Sequence, residues 1–161
     1  MRTAFWTTVF WVAFWVFLLD QASKYLVVHM LDLRNLGAID VWPPFLNLRM
    51  AWNTGINFGI LSGDGTLTRW VLIAVALVIS AAVLWWVHAE RAGRWHRVAA
   101  GVLVGGALGN VIDRLIYGAV ADFINMSCCG IDNPFAFNVA DVAVFAGAFG
   151  MVLLPGSKNP S

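Results

Sequence analysis

The sequence predicts an all-α membrane protein, a four-transmembrane-helix bundle with a small β-sheet on its first outward loop, in a single domain spanning residues 1–161. Three observations predict it. Hydrophobic residues make up 60% of the chain and charged ones only 12%, with a mean hydropathy of +0.76, which is too apolar for a soluble domain of this size. Four stretches, at about Phe5 to Val28, Leu67 to Val87, Val98 to Tyr117 and Phe137 to Leu154, are long and apolar enough for a hydrocarbon core of about 30 Å, which takes roughly 20 helical residues. Between the first two, Phe45 to Trp52 alternates, with Leu46, Leu48, Met50 and Trp52 on one side and Asn47 and Arg49 on the other. That is the period-two pattern of a half-buried strand.

The first stretch has Arg2 ahead of the apolar run Val9 to Leu19, as a cleavable signal peptide would. No small-x-small cleavage site follows, and Asp20-Gln21-Ala22-Ser23-Lys24 leads into more apolar residues, so it is read as a retained helix. In the first outward loop, about His29 to Thr66, turns are expected at Asn53-Thr54-Gly55 and at Ser62-Gly63-Asp64-Gly65. The third helix carries Gly101, Gly105 and Gly109 every four residues with Gly106 beside them, a spacing that lets helix backbones approach closely in lipid. Gly147, Ala148 and Gly150 can serve the fourth helix in the same way.

Orientation follows from short-loop arginines. Arg91, Arg94 and Arg97 lie in the link from Ala89 to Arg97, whereas the link from Gly118 to Ala136 holds no Lys or Arg. The arginine-rich link is therefore expected in the cytoplasm, with both termini, as Arg2 and Lys158 agree. The first and third loops then face outward, in a bacterium into the periplasm. Trp6, Trp11, Trp15, Trp70, Trp85 and Trp86 read as interfacial anchors, and His29, His88 and His96 as surface residues. Adjacent Cys128 and Cys129 are too constrained for an ordinary mutual disulfide and lack partners at zinc-ligand spacing. A net charge of +1 with no basic run gives no reason to expect nucleic acid as a partner.

The charges inside the bundle gather at its outward end. Helical rise puts Asp20 and Asp113 at matching depth, each roughly 22 Å from the cytoplasmic side. Asp20 and Lys24 are four apart on one helical face, and Asp113 has Arg114 beside it with Asn110 three residues before, so these groups can neutralise one another. Asp122, just past the third helix, and Asp141, about 6 Å into the fourth, have no neighbouring cation in sequence. Taken singly, each could be an ordinary interfacial acid, one in a loop and one near a helix N-terminus. If they meet, repulsion and partial desolvation make them share one proton. One carboxylate can then deprotonate a water while the other protonates a carbonyl or leaving nitrogen, as in aspartic proteases.

Five segments together resemble the bacterial lipoprotein signal peptidase family, also called signal peptidase II. They are Asp20-Gln21-x-Ser23-Lys24, Asn53-Thr54-Gly55-x-x-Phe58, Gly105-Gly106-x-x-Gly109-Asn110-x-x-Asp113-Arg114, Val120-x-Asp122-Phe123 and Phe137-Asn138-x-Ala140-Asp141. They occur in the family's order and cover nearly the whole chain. The resemblance implies an aspartic endopeptidase of the bacterial inner membrane, active at the periplasmic face, that removes signal peptides from prolipoproteins by cutting before a diacylglyceryl-modified cysteine. It implies Asp122 and Asp141 as the catalytic pair, and Asp20, Lys24, Asn53, Gly55, Asn110, Asp113, Arg114, Asn138 and Ala140 as substrate-site residues. It further implies a small sheet on the first outward loop and a mobile short helix in the second. No metal or other cofactor is expected, and the chain is expected to be a monomer, to contact membrane lipids and to be inhibited by globomycin-type cyclic peptides. Asn57 and Gly59 depart from the familiar pattern in the substrate groove, and Cys128-Cys129 lies outside it.

Two alternatives come from other classes. A proton- or ion-translocating subunit needs acids spread across the membrane, but the inner halves of all four stretches are almost purely apolar. A metal-dependent lipid transferase needs ligand spacing that these acids lack.

Overall fold

The computed structural model describes residues 2–55, 65–130 and 132–154. Helix α1 (Arg2–Lys24) continues without a break into a π-helical segment, Tyr25–Met30, and a short helix α2 (Leu33–Leu36) follows. Strands β1 (Ala38–Trp42) and β2 (Leu46–Asn53) lead to α3 (Gly65–Ala89) and α4 (Arg94–Tyr117), then β3 (Val120–Asn125) and α5 (Val139–Leu153).

Helix α4 is the centre of the bundle and packs against α1, α3 and α5. Glycine makes this possible. A Cβ on Gly105 would lie 2.6 Å from the Ala13 carbonyl oxygen of α1, and one on Gly106 2.5 Å from the Ala140 carbonyl oxygen of α5. Neighbouring glycines thus admit helices on two different faces, and Gly147 of α5 meets the α4 backbone at Ala99 and Leu103 in return. The expected close-packing role of these glycines is what the structure shows. Outward faces of α1 and α3 leave Trp6, Trp11, Trp15, Trp70, Trp85 and Trp86 exposed.

Among the described residues three helical stretches, Trp6–Met30, Gly65–Ala89 and Arg94–Tyr117, are long and apolar enough to cross a membrane. The fourth expected stretch corresponds to α5, an apolar helix of 15 residues. At 1.5 Å per residue it is about 22 Å long, short of a 30 Å core, and residues 155–161 lie outside the described part.

The antiparallel sheet has the order β1-β2-β3. The alternation at Phe45 to Trp52 becomes β2, one residue later at each end. The third strand was not expected, because β3 comes from the second outward loop and is buried on both faces, so its side chains show no alternation. Pairing Ala51 with Asp122 and Trp52 with Ala121 draws that loop onto the first. Val27, Val28, Leu33, Ala121 and Phe123 form the core beneath the sheet. No helix occurs among the described residues between β3 and α5, where the resemblance implied a short one. Gly55, at φ +124°, donates its N–H to Asn53 Oδ1 at 3.1 Å, the turn expected there. The other expected turn, at Ser62-Gly63-Asp64-Gly65, and the positions Asn57, Phe58 and Gly59 fall outside the described residues, as does Lys158, apart from Gly65 itself.

One histidine differs from the surface reading: His96 is buried and meets Trp86 edge-on. His29 is exposed, as expected, and bonds the Tyr117 hydroxyl at 3.2 Å. Cys128 and Cys129 are free and exposed.

Candidate active site

Helix α5 starts on a capping box, the arrangement in which an N-cap side chain and the residue three further on satisfy each other's backbone N–H. Asn138 Oδ1 accepts from the Asp141 N–H at 3.0 Å, and Asp141 Oδ2 accepts from the Asn138 N–H at 3.2 Å. Asp141 is thereby held in the first helical turn, where the helix dipole favours its charge. Its other oxygen, Oδ1, accepts from Asn110 Nδ2 of α4 at 2.9 Å.

Strand β3 supplies the second carboxylate. Asp122 Oδ1 accepts from Asn138 Nδ2 at 2.6 Å and Oδ2 from Asn53 Nδ2 of β2 at 3.0 Å. Asn138, wholly buried, therefore touches both acids, one through its side chain and one through its backbone. All four oxygens of the pair receive a neutral amide N–H.

Asp122 is 3% exposed. Burial pushes its pKa up to about 6, and the charge of Asp141 acts in the same direction, against the smaller opposing effect of the Asn53 and Asn138 hydrogen bonds. The folded chain thus holds this proton more tightly than the unfolded chain, whose carboxyl titrates near its ordinary value of 3.8. Between that value and about 6 the folded form binds more protons, so this group's contribution to stability falls as pH rises. Asp122→Asn is expected to flatten the decline, measured as the midpoint of thermal unfolding in detergent from pH 4 to 7.

Behind the pair lies a charged layer. Lys24 Nζ bridges Asp20 Oδ2 and Asp113 Oδ2, each at 2.8 Å. The Asp20–Lys24 pairing expected from sequence is present. Asp113, however, takes Lys24 as its partner in place of Arg114, because α1 and α4 pack closely enough to bring Lys24 between the two acids. Gln21 Nε2 donates to both carboxylates at 3.1 Å. Asp20 Oδ1 accepts from the Ala140 N–H at 2.9 Å, and Asp113 Oδ2, besides Lys24, accepts from the Ala121 N–H at 3.2 Å. Lys24 Nζ also donates to Asn110 Oδ1 at 3.2 Å, connecting the layer to Asp141 through one side chain. Gly109 is part of this arrangement, since a Cβ there would collide with the Asp20 carboxylate.

Arg114 bonds the Asn110 carbonyl at 3.3 Å and lies within electrostatic reach of Asp141, Asp122 and Asp113. The aspartate pair has no cation beside it in sequence but has one in space. The fold brings together Asp20, Lys24, Asn53, Asn110, Asp113, Arg114, Asp122, Asn138, Ala140 and Asp141, with Gly55 attached through Asn53. Sequence reasoning missed the Ala121 backbone, whose N–H serves Asp113 and whose carbonyl accepts from Asn138.

The family model for Signal peptidase (SPase) II matches residues 12–155. The chain belongs to the signal peptidase II family. Its relatives include the lipoprotein signal peptidase of Methylorubrum extorquens (strain PA1), 41% identical over 149 residues covering 89% of this chain and 84% of the relative. The lipoprotein signal peptidase of Alteromonas mediterranea is 39% identical over 150 residues, covering 92% and 80%. Among solved structures, a bacterial membrane enzyme determined by the in meso method at 1.9 Å superposes with a TM-score of 0.76 at 31% identity, over 91% of this chain and 90% of that one. A second, at 2.3 Å, gives 0.72 at 32% identity over 91% and 85%. As a member of the signal peptidase II family the chain is a multi-pass membrane peptidase, and the aspartic mechanism fits that family.

Proposed function

We propose that this signal peptidase cleaves prolipoproteins just before a cysteine carrying a diacylglyceryl group, with Asp122 and Asp141 as the catalytic pair. The observation that carries the assignment is the coupling of the two carboxylates through Asn138. Asp122, with its raised pKa, carries the shared proton. Asp141 takes a proton from the attacking water as Asp122 gives its own to the carbonyl oxygen. In collapse of the tetrahedral intermediate the C–N bond breaks, the leaving nitrogen receives the proton on Asp141, and Asp122 recovers one from the hydroxyl.

Asn53, Gly55, Asn110 and Arg114 line the substrate side of the pair, Arg114 offering fixed donors to a substrate carbonyl, while the wholly buried Asn138 acts on substrate through the two carboxylates it positions. Asp20, Lys24, Asp113 and Ala140, whose polar groups are occupied by one another, hold the site from behind. The lipid chains of the substrate stay in the bilayer. Helix α5 completes a four-span bundle in the bacterial inner membrane, with both termini cytoplasmic and the active site at the periplasmic face. The protein acts as a monomer, contacts membrane lipids and binds globomycin-type cyclic peptides.

The deciding experiment is cleavage of a lipidated prolipoprotein by purified protein in detergent with chelator present. Full turnover is expected, because a carboxylate pair already supplied with amide donors activates water unaided; loss restored by a divalent cation would refute the two-aspartate mechanism. The ion-translocation alternative is not favoured, since the family is one of peptidases and the acids cluster at one end of the bundle. Topology is tested separately with a cysteine placed between Ala89 and Arg97. It should resist an impermeant thiol reagent in intact cells, and ready labelling from the periplasm would reverse the assignment.

A further inference from the structure

We propose that a second pocket, on the opposite face of β2 from the aspartate pair, binds the alkylammonium headgroup of a membrane phospholipid. Side chains alternate along a strand. Asn53 reaches Asp122 at 3.0 Å, so its neighbour Trp52 faces the other way, where its ring lies 5.4 Å from that of Tyr117. There a cavity of about 250 Å³ opens between the ends of α1 and α4 and the back of the sheet. It is smaller than the roughly 300–1,000 Å³ of typical small-molecule pockets, which fits a headgroup better than a peptide.

The walls and floor define the ligand. One wall is a continuous row of rings, with centroids 5.6 Å apart for Tyr25 and His29, 6.4 Å for His29 and Tyr117, and 5.4 Å for Trp52 and Tyr117. The π-helical segment builds half of it. Its wide turn, closed by the Leu31 N–H to the Leu26 carbonyl at 2.9 Å, presents Tyr25, Val28 and His29 to the cavity, and such segments are frequent at functional sites. The floor is Gln21, Lys24 and Asp113. Within the floor Lys24 and Asp113 offset each other, and Asp20, fully buried and paired with Lys24 beneath the lining, adds a second carboxylate, so the bridge as a whole has a formal charge of −1. Aromatic rings beside a bridge of net negative charge favour a cation within about 6 Å of a ring centroid. Tyr25 and Tyr117 are 63% and 44% exposed, so the pocket is open along this wall. His29, at the mouth, can donate to the phosphodiester that follows the ammonium. The site does not depend on Asp122 and Asp141 being catalytic.

The test uses the full chain, purified and delipidated in detergent, with bound lipid read by native mass spectrometry. Phosphatidylethanolamine and phosphatidylcholine are expected to be retained at least fivefold over phosphatidylglycerol of the same acyl chains. Soluble ethanolamine at equal concentration should not displace them. Tyr25→Leu, at an exposed position, and Tyr117→Leu should each abolish the preference while cleavage of a lipidated substrate in detergent stays within about twofold of the parent. Equal retention of the three lipids would overturn the proposal. So would an undiminished preference in both variants, or displacement by soluble ethanolamine, which would mark a site for free ammonium compounds.

Discussion

Asp122→Asn and Asp141→Asn are each expected to lower single-turnover cleavage of a lipidated prolipoprotein by roughly 10²–10⁴-fold or more, the scale of a lost positioned proton transfer. The substitution keeps the shape of the side chain and removes its ability to exchange a proton. Its structural cost is small but not zero. Both oxygens of Asp122 accept amide donors, from Asn138 at 2.6 Å and Asn53 at 3.0 Å, so an amide nitrogen at one of them opposes a donor and forfeits about 1 kcal/mol. Asn110 cannot relieve this at Asp141 by flipping, since its own Oδ1 already accepts from Lys24 at 3.2 Å. Unfolding midpoints must therefore be measured beside the rates. Residues that act as a unit are strongly non-additive, and the double variant is expected to be hardly slower than either single one. Near-normal cleavage by a folded Asp122→Asn or Asp141→Asn protein would remove the aspartic mechanism from these residues.

Much of this arrangement was legible in the sequence because a membrane makes polar residues conspicuous. An acid in an apolar stretch must have a partner or a use, and helical rise alone put Asp20 and Asp113 at one depth, where a single Lys24 now bridges them at 2.8 Å. The alternation at Leu46, Leu48 and Met50 revealed β2, although burial does not follow it strictly: these three are half-buried, Asn47 on the other side is the most buried residue of the strand, and Trp52 is exposed. Partner choice between helices was less legible. Arg114 follows Asp113 directly, but consecutive residues on a helix point about 100° apart and do not face each other, and Lys24 arrives from another helix 89 positions earlier. Strand β3 carries no periodic signal, being buried on both sides. The dual role of Asn138, as helix cap and as donor to Asp122, depends on β3 lying beside the α5 N-terminus, which is a tertiary fact.

Lys24→Met is expected to be the most destabilising single change in the site. Lys24 is 6% exposed and lies between Asp20 and Asp113, which are 0% and 1% exposed. A buried ion pair is weak evidence of net stabilisation, because desolvation offsets much of the Coulombic gain, but removing one partner strands a buried charge at about 3–5 kcal/mol. Here it strands two facing carboxylates. For a chain of this length each kcal/mol shifts the midpoint of unfolding by roughly 2–4 °C, so a fall of about 10 °C in detergent is expected. The change also takes a donor from Asn110 and so loosens the Asn110 bond to Asp141 at 2.9 Å, so cleavage should fall even at temperatures where the variant is folded. Adding Asp113→Asn to Lys24→Met removes one of the stranded charges, and the double variant should regain part of the lost midpoint despite carrying two substitutions. Asp20→Asn alone leaves Lys24 paired with Asp113, so it should lose less stability and keep residual turnover. If Lys24→Met unfolds at the parent's temperature, or if Asp113→Asn lowers it further in place of restoring it, the buried Asp20–Lys24–Asp113 bridge is not what supports the aspartate pair.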